Sequence, residues 1–175
     1  MNVKKLVVAV AIASGMVMGV AQAKDQGHGT VTFTGSIIDA PCSINPDSVD
    51  QTVNLGEVSN VALKNGGTSN PRPFSIKLEQ CDTSTLKTVQ TTFSGAASSG
   101  NPDLLGITGT AKGASIAITD GSGQVITLGS PTPAQKLQDG NNTLAFSAYL
   151  QGDGASATVV PGSFQSVADF TLSYQ

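Results

Sequence analysis

The sequence predicts an all-β protein, a sandwich or barrel of short strands, and three observations carry that prediction. Short stretches that alternate apolar and polar residues recur along the chain. Clusters of turn-forming residues separate them, in a composition with 20 glycines, abundant serine and threonine, and no tryptophan. No segment keeps a helical spacing of apolar residues for more than a turn or two.

In chain order the predicted strands span residues 30–38, 51–58, 74–80, 89–94, 114–119, 124–128, 143–151 and 163–174. The breakers between them are Lys64-Asn65-Gly66-Gly67, Ser99-Gly100-Asn101-Pro102, Asp120-Gly121-Ser122-Gly123 and Asp139-Gly140-Asn141-Asn142. The third of these separates Ile116-Ala117-Ile118 from Val125-Ile126-Thr127-Leu128, which predicts a hairpin. Val58, Val61 and Ala62 have the spacing of a short helix, and Gly66-Gly67 ends it quickly. There is no internal repeat and no low-complexity linker, so one domain is expected.

Residues 1–23 read as a secretory signal peptide. Lys4 and Lys5 precede a mostly apolar run from Leu6 to Val20, and Ala21-Gln22-Ala23 offers a small-x-small cleavage site. The run is shorter than the roughly 20 residues that span a bilayer, and Ser14, Gly15 and Gly19 interrupt it. Cleavage after Ala23 takes 23 of 175 residues and leaves 152, the size of one ordinary domain. It also removes Lys4 and Lys5 from the nine basic residues, so seven remain against twelve acidic ones, a net charge of −5. Nucleic-acid binding is disfavoured, because phosphate neutralisation needs clustered Lys and Arg. Asp47, Asp50 and Asp103 are read as solubilising surface charge.

Cys42 and Cys81 both lie in the exported part, and two cysteines in an oxidising compartment read as one disulfide. It would close a loop of about 40 residues, for which chain entropy gives roughly 4 kcal/mol. Two cysteines and a single His28 do not complete a four-ligand structural metal site, so no metal and no cofactor is expected.

The two ends of the mature chain are the most regular. In Gly29 to Ile37, Val31, Phe33, Gly35 and Ile37 share one face and the even positions 30–36 carry hydroxyls. By alternation alone the simpler reading is an ordinary first strand of its own domain. At the other end Phe164, Ser166, Ala168, Phe170, Leu172 and Tyr174 share a face. A last strand of this kind is either covered by a neighbour or left as an apolar edge, which invites aggregation.

The run Gly29-Thr30-Val31-Thr32-Phe33-Thr34-Gly35-Ser36-Ile37-Ile38-Asp39-Ala40-Pro41-Cys42-Ser43-Ile44 resembles the start of mature chaperone-usher pilins of the type 1 and P fimbrial group. The end is similar too: Gly162 stands fourteenth from residue 175 and is followed by alternating apolar residues and Tyr174. So are Cys81 after Ile76-Lys77-Leu78-Glu79-Gln80, and Asp139-Gly140 followed by 144–149 upstream of the last strand. The resemblance covers essentially the whole chain and is closest to the major shaft subunit of P-type pili.

The resemblance implies an incomplete immunoglobulin-like sandwich that lacks its last strand and is completed in trans by a donor strand. It divides the chain into signal peptide 1–23, donor-strand extension 24–41 and pilin domain 42–175. Gly162, Phe164, Ala168, Phe170, Leu172 and Tyr174 would then flank a hydrophobic groove. A periplasmic chaperone first fills that groove, and an outer-membrane usher exchanges the chaperone strand for the extension of the next, identical or homologous, subunit. Val31, Phe33 and Ile37 would enter successive pockets, and Gly35 would mark a close approach between donor and acceptor, with a simple bulge as the alternative. The product is a surface fimbria reached through the periplasm.

Three other readings compete. Catalysis is disfavoured: the one His28 precedes the domain, and neither a Gly-x-Ser-x-Gly elbow nor a His-Glu-x-x-His pair occurs. A carboxylate pair for glycoside hydrolysis could be assembled in space from the twelve acids, but few aromatics and no Trp weaken a sugar-processing site. A carbohydrate-binding module or tip adhesin would also be secreted, all-β and disulfide-bonded, but a tip adhesin needs an additional lectin domain, for which 152 residues leave no room. A minor adaptor or terminator of the same fibre remains the nearest alternative.

Overall fold

The computed structural model describes residues 27–175; the signal peptide and its cleavage site, with the first residues of the extension, lie outside the described residues. Residues 27–37 belong to one unit of the chain and Ile38–Gln175 to another. The shorter unit contains no strand or helix over its described residues, and every one of them is exposed. The expected strand at 30–38 is therefore absent. Its alternation supplies one apolar face, but a strand exists only where another backbone takes up its N–H and C=O groups.

The longer unit is built from ten strands: β1 (Ser43–Ile44), β2 (Arg72–Cys81), β3 (Thr88–Gly95), β4 (Leu105–Gly106), β5 (Thr108–Gly109), β6 (Ala114–Asp120), β7 (Gln135–Lys136), β8 (Gly140–Gly152), β9 (Phe164–Gln165) and β10 (Ala168–Tyr174). They form a five-stranded sheet in the order β1-β2-β8-β6-β4, a three-stranded sheet β10-β3-β7, and a pair β5-β9. The named strands pair antiparallel throughout. Two short 3₁₀ turns, Pro46–Ser48 and Lys64–Gly66, are the helical elements among the described residues.

Period-two patterning explains the long strands. In β8, Leu144, Phe146, Ala148 and Leu150 are buried while the intervening residues are not. In β3 the buried set is Val89, Thr91 and Phe93. These faces meet in a core around the Cys42–Cys81 disulfide that includes Ile76, Leu78, Ile118 and Leu137. Phe93 and Phe146 cross edge-to-face with ring centres 5.1 Å apart, and Phe74 stacks on Phe146 at 5.5 Å. A second apolar cluster gathers Leu55, Leu63, Leu105, Ile116, Ala148 and Leu150, and Phe74 touches both clusters.

The hairpin at 120–123 is present as a tight turn. Asp120 N–H donates to Gln124 O at 3.0 Å, and the Asp120 carboxylate accepts from Ser122 N, Ser122 Oγ and Gln124 N. These bonds, led by the Ser122 hydroxyl, lower the Asp120 pKa. The expected strand at 124–128 is reduced to a single bridge, Thr119 with Val125. Residues 51–58 form no strand either.

The Val58 to Lys64 spacing yields turns followed by the 3₁₀ turn Lys64–Gly66, in which Gly66 has φ 80°. A Cβ on Gly67 would collide with the carbonyl oxygen of Ala62, so the chain is stopped there as the sequence suggests.

Candidate functional site

The last strand changes partners along its length. β9 pairs with β5, Thr108 opposite Gln165 and Gly109 opposite Phe164. After a break at Ser166 and Val167, β10 pairs with β3 over seven residues, from Ala168 opposite Gly95 to Tyr174 opposite Val89. Ser166 marks the crossing, where its hydroxyl donates to Gly106 O at 2.6 Å, and Val167 points outward, 67% exposed.

β10 has β3 on one edge and no strand on the other among the described residues. Its apolar face is accordingly unfinished. Ala168, Phe170, Leu172 and Tyr174 pack against the core but stay half-buried, whereas Val89 and Phe93 on the paired strand are 1% and 4% exposed. Burial of the Tyr174 side chain raises its phenol pKa.

A groove of about 1000 Å³ begins at Ala168 and runs along residues 159–168; Phe170, Leu172 and Tyr174, expected to flank it, lie along the free edge of β10 and do not line it. Phe164, Ser166 and Ala168 line one wall, Val53, Leu55 and Val58 the other, and Ile116 and Leu150 lie beneath. The 51–58 wall donates no backbone hydrogen bond to another segment, and Gly56 N–H is met only by the Asn54 side chain at 2.8 Å. The 159–165 stretch of the other wall is bonded to 108–112 through the β5–β9 pair and Ser163 O, so the unpaired backbone lies on the 51–58 wall, a feature of a site for an extended peptide.

Gly162 lines the groove. A Cβ there would run into Thr110 Oγ1 and lie 2.6 Å from Ala111 N, while Ser163 N–H donates to Thr110 Oγ1 at 3.0 Å. Gly162→Ala is expected to destabilise the domain by about 1–3 kcal/mol through this overpacking, read as a lower urea midpoint at unchanged slope.

The structure joins Cys42 and Cys81, both buried, with Cα atoms 4.1 Å apart. Asp82 N–H donates to Pro41 O at 2.9 Å and Ser43 pairs with Glu79, so the start of the longer unit is fixed to the end of β2. Gln80, at φ 52°, forms the bulge that brings Cys81 opposite Gly140. In the shorter unit Val31, Phe33 and Ile37 are 74%, 89% and 104% exposed, and a Cβ on Gly35 would meet no atom within 4 Å. Sequence reasoning missed the wall at Val53, Leu55 and Val58; its signal was the alternation that predicted a strand there.

The match to known proteins decides what kind of chain carries this groove. The fimbrial protein family matches residues 31–175. This chain belongs to that family. It is 69% identical to the Fimbria A protein of Serratia marcescens over the whole of both chains. It is 55% identical to the Major MR/P fimbria protein of Proteus mirabilis, again over the whole of both. Its fold superposes on a subunit of a chaperone-usher pilus, in a structure concerned with rod uncoiling, with a TM-score of 0.76 and 36% identity; the match covers 86% of this chain and 97% of the other. The fold is the incomplete immunoglobulin-like sandwich of fimbrial subunits. The chain is a structural fimbrial subunit that resides in the fimbrium and polymerises with other pilin subunits.

Proposed function

We propose that this fimbrial subunit builds the shaft by donating its N-terminal extension, with residues 29–37 as the strand, to the groove of the next copy, and that it has no catalytic role; residues 38–41 of the expected extension stay with the subunit's own domain, where Pro41 O accepts from Asp82 N–H. The observation that carries this reading is the free edge of β10, with the half-buried apolar face of Ala168, Phe170, Leu172 and Tyr174, which continues at Ala168 into a groove walled by the unpaired backbone of residues 51–58. The extension has the complementary property: an apolar face of Val31, Phe33 and Ile37 that is exposed. Burying those three side chains would contribute roughly 1.5–3 kcal/mol each. Main-chain bonds on both sides hold the donor strand, and the spacing of the side chains fixes its register. Gly35 would face the tightest part of the trough.

On this reading residues 51–58 complete their strand when the donor arrives. The groove is first covered by a strand of a periplasmic chaperone, and an outer-membrane usher directs the exchange, so the subunit crosses the periplasm with its apolar edge shielded.

The test compares the mature chain lacking residues 24–38 with the same chain carrying Gly29 to Ile38 after Gln175 through a flexible linker. A folded monomer with a much higher thermal midpoint for the second, beside an unstable or aggregating first, supports the reading. Equal midpoints for two well-folded proteins would overturn it.

Tyr174 gives an independent readout. Its folded pKa lies above the ordinary phenol value near 10, so the burial of its neutral form stabilises the fold below that value. The contribution is lost as pH rises through the folded pKa. Covering the free edge of β10 with the donor strand is expected to raise the Tyr174 pKa further, seen in phenolate absorbance and assigned by its loss in Tyr174→Phe.

A further inference from the structure

We infer that Asn65 is a site of spontaneous covalent modification, deamidation through a cyclic imide, and that its product loosens the turn that holds Leu63 in the core. Asn65-Gly66 is the one Asn-Gly pair in the sequence. Asn65 is exposed, and its carboxamide makes no hydrogen bond to a described residue. Both residues lie in the left-handed region, Asn65 at φ 58° and ψ 31° and Gly66 at φ 80°. With no side chain on Gly66, nothing of its own shields its nitrogen from the neighbouring carboxamide.

The chemistry needs only water. The Gly66 backbone nitrogen attacks Asn65 Cγ, the Cγ–Nδ2 bond breaks, and ammonia leaves with the proton that the Gly66 amide gives up. Water then opens the five-membered imide at one of its two carbonyls, leaving aspartate or isoaspartate. Either product adds a negative charge to a subunit already acidic, and isoaspartate lengthens the main chain by one methylene.

The surrounding turn has little room for that methylene. Gly67 N–H donates to Lys64 O at 3.0 Å, Gly152 N–H donates to Gly67 O at 3.0 Å, and Ser69 N–H donates to Leu150 O at 2.9 Å. A Cβ on Gly152 would collide with Leu63 O, so the turn is clasped directly onto the end of β8. This clasp keeps the Leu63 side chain 4% exposed in the second apolar cluster. Lengthening the backbone at residue 65 displaces bonds on both sides of it.

The experiment incubates the mature protein, residues 24–175, at mildly alkaline pH and maps it with a Glu-specific protease at mildly acidic pH, following the peptide 58–79. The expected result is a mass gain of about one dalton at Asn65, accumulating several-fold faster than at any other asparagine, with isoaspartate among the products. The modified fraction, separated by charge, melts several degrees below the unmodified one. Asn65→Gly, which suits the same backbone angles and has no carboxamide, shows neither the mass gain nor the drift in melting. No excess mass gain at residue 65, equal melting of modified and unmodified fractions, or equal ageing of wild type and Asn65→Gly would each overturn the inference.

Discussion

Replacing Phe33 with Asp is expected to abolish fibre formation while residues 38–175 fold as before. Phe33 is 89% exposed in the subunit, so the substitution removes no contact that its own fold uses. In the filled groove it is the largest apolar side chain of the donor face, and a carboxylate there would have to be desolvated without a partner. Losing a buried Phe costs roughly 3–5 kcal/mol, and an unpaired buried charge adds several more. Electron microscopy of surface fibres, with circular dichroism of the purified subunit, checks both halves. Thr32→Asp is the matched control. Residue 32 lies on the opposite face of the donor strand, and that variant should still assemble.

The second large effect concerns the disulfide. Cys42 and Cys81 are 39 positions apart, and opening that loop in the Cys42→Ser/Cys81→Ser double variant is expected to cost roughly 4 kcal/mol on the chain-entropy account. The loss falls on a core that contains both sulfur atoms together with Ile76, Leu78 and Phe146. Chemical denaturation of the two forms measures it directly. A domain that lacks one strand has little reserve, so the double variant should be largely unfolded at growth temperature unless the groove is filled. Rescue by the appended Gly29 to Ile38 strand would separate a stability defect from an assembly defect.

Much of this architecture was legible in the sequence. The predicted strand 163–174 is split into β9 and β10, and β2, β3, β6 and β8 all fall within three residues of the segments predicted from period-two alternation. Each is long, has a partner in the same chain and buries one face. Residues 51–58 have the same alternation, with Leu55 buried and Val53 half-buried, yet form no strand because alternation reports a face and not a partner. Residues 124–128 fail for a different reason. Ile126 is buried and its N–H reaches Ile118 O at 2.8 Å, but Leu128 N–H turns away to Asp103 O at 2.9 Å, and the ladder ends there.

The pieces that went unread are β1, β4, β5 and β7, each two residues long. Such short pairings are set by where loops land after the sheets form, and they leave no periodic trace. The crossing at Ser166 and Val167 is similar: an apolar residue turned to solvent breaks the pattern without announcing a change of sheet. Of the groove, the 162–168 side fell within a strand predicted from alternation, and its place beside a groove was legible only through the family resemblance. The opposite wall was legible only as a strand that the isolated subunit does not form.

The change of partners along the last strand bears on how the subunit unfolds. Phe164 packs with one apolar cluster, Phe170, Leu172 and Tyr174 with the other, and Ala168 touches both, as Phe74 does. With the groove empty, these two residues are prominent among the side chains that tie the clusters together. An occupant that continued from the trough past Ala168 along the free edge of β10 would lie against both at once and make their melting a single event. Amide hydrogen exchange should therefore resolve two levels of protection in the open subunit, with β6 and the end of β8 below the disulfide core, and merge them into one when the trough is filled.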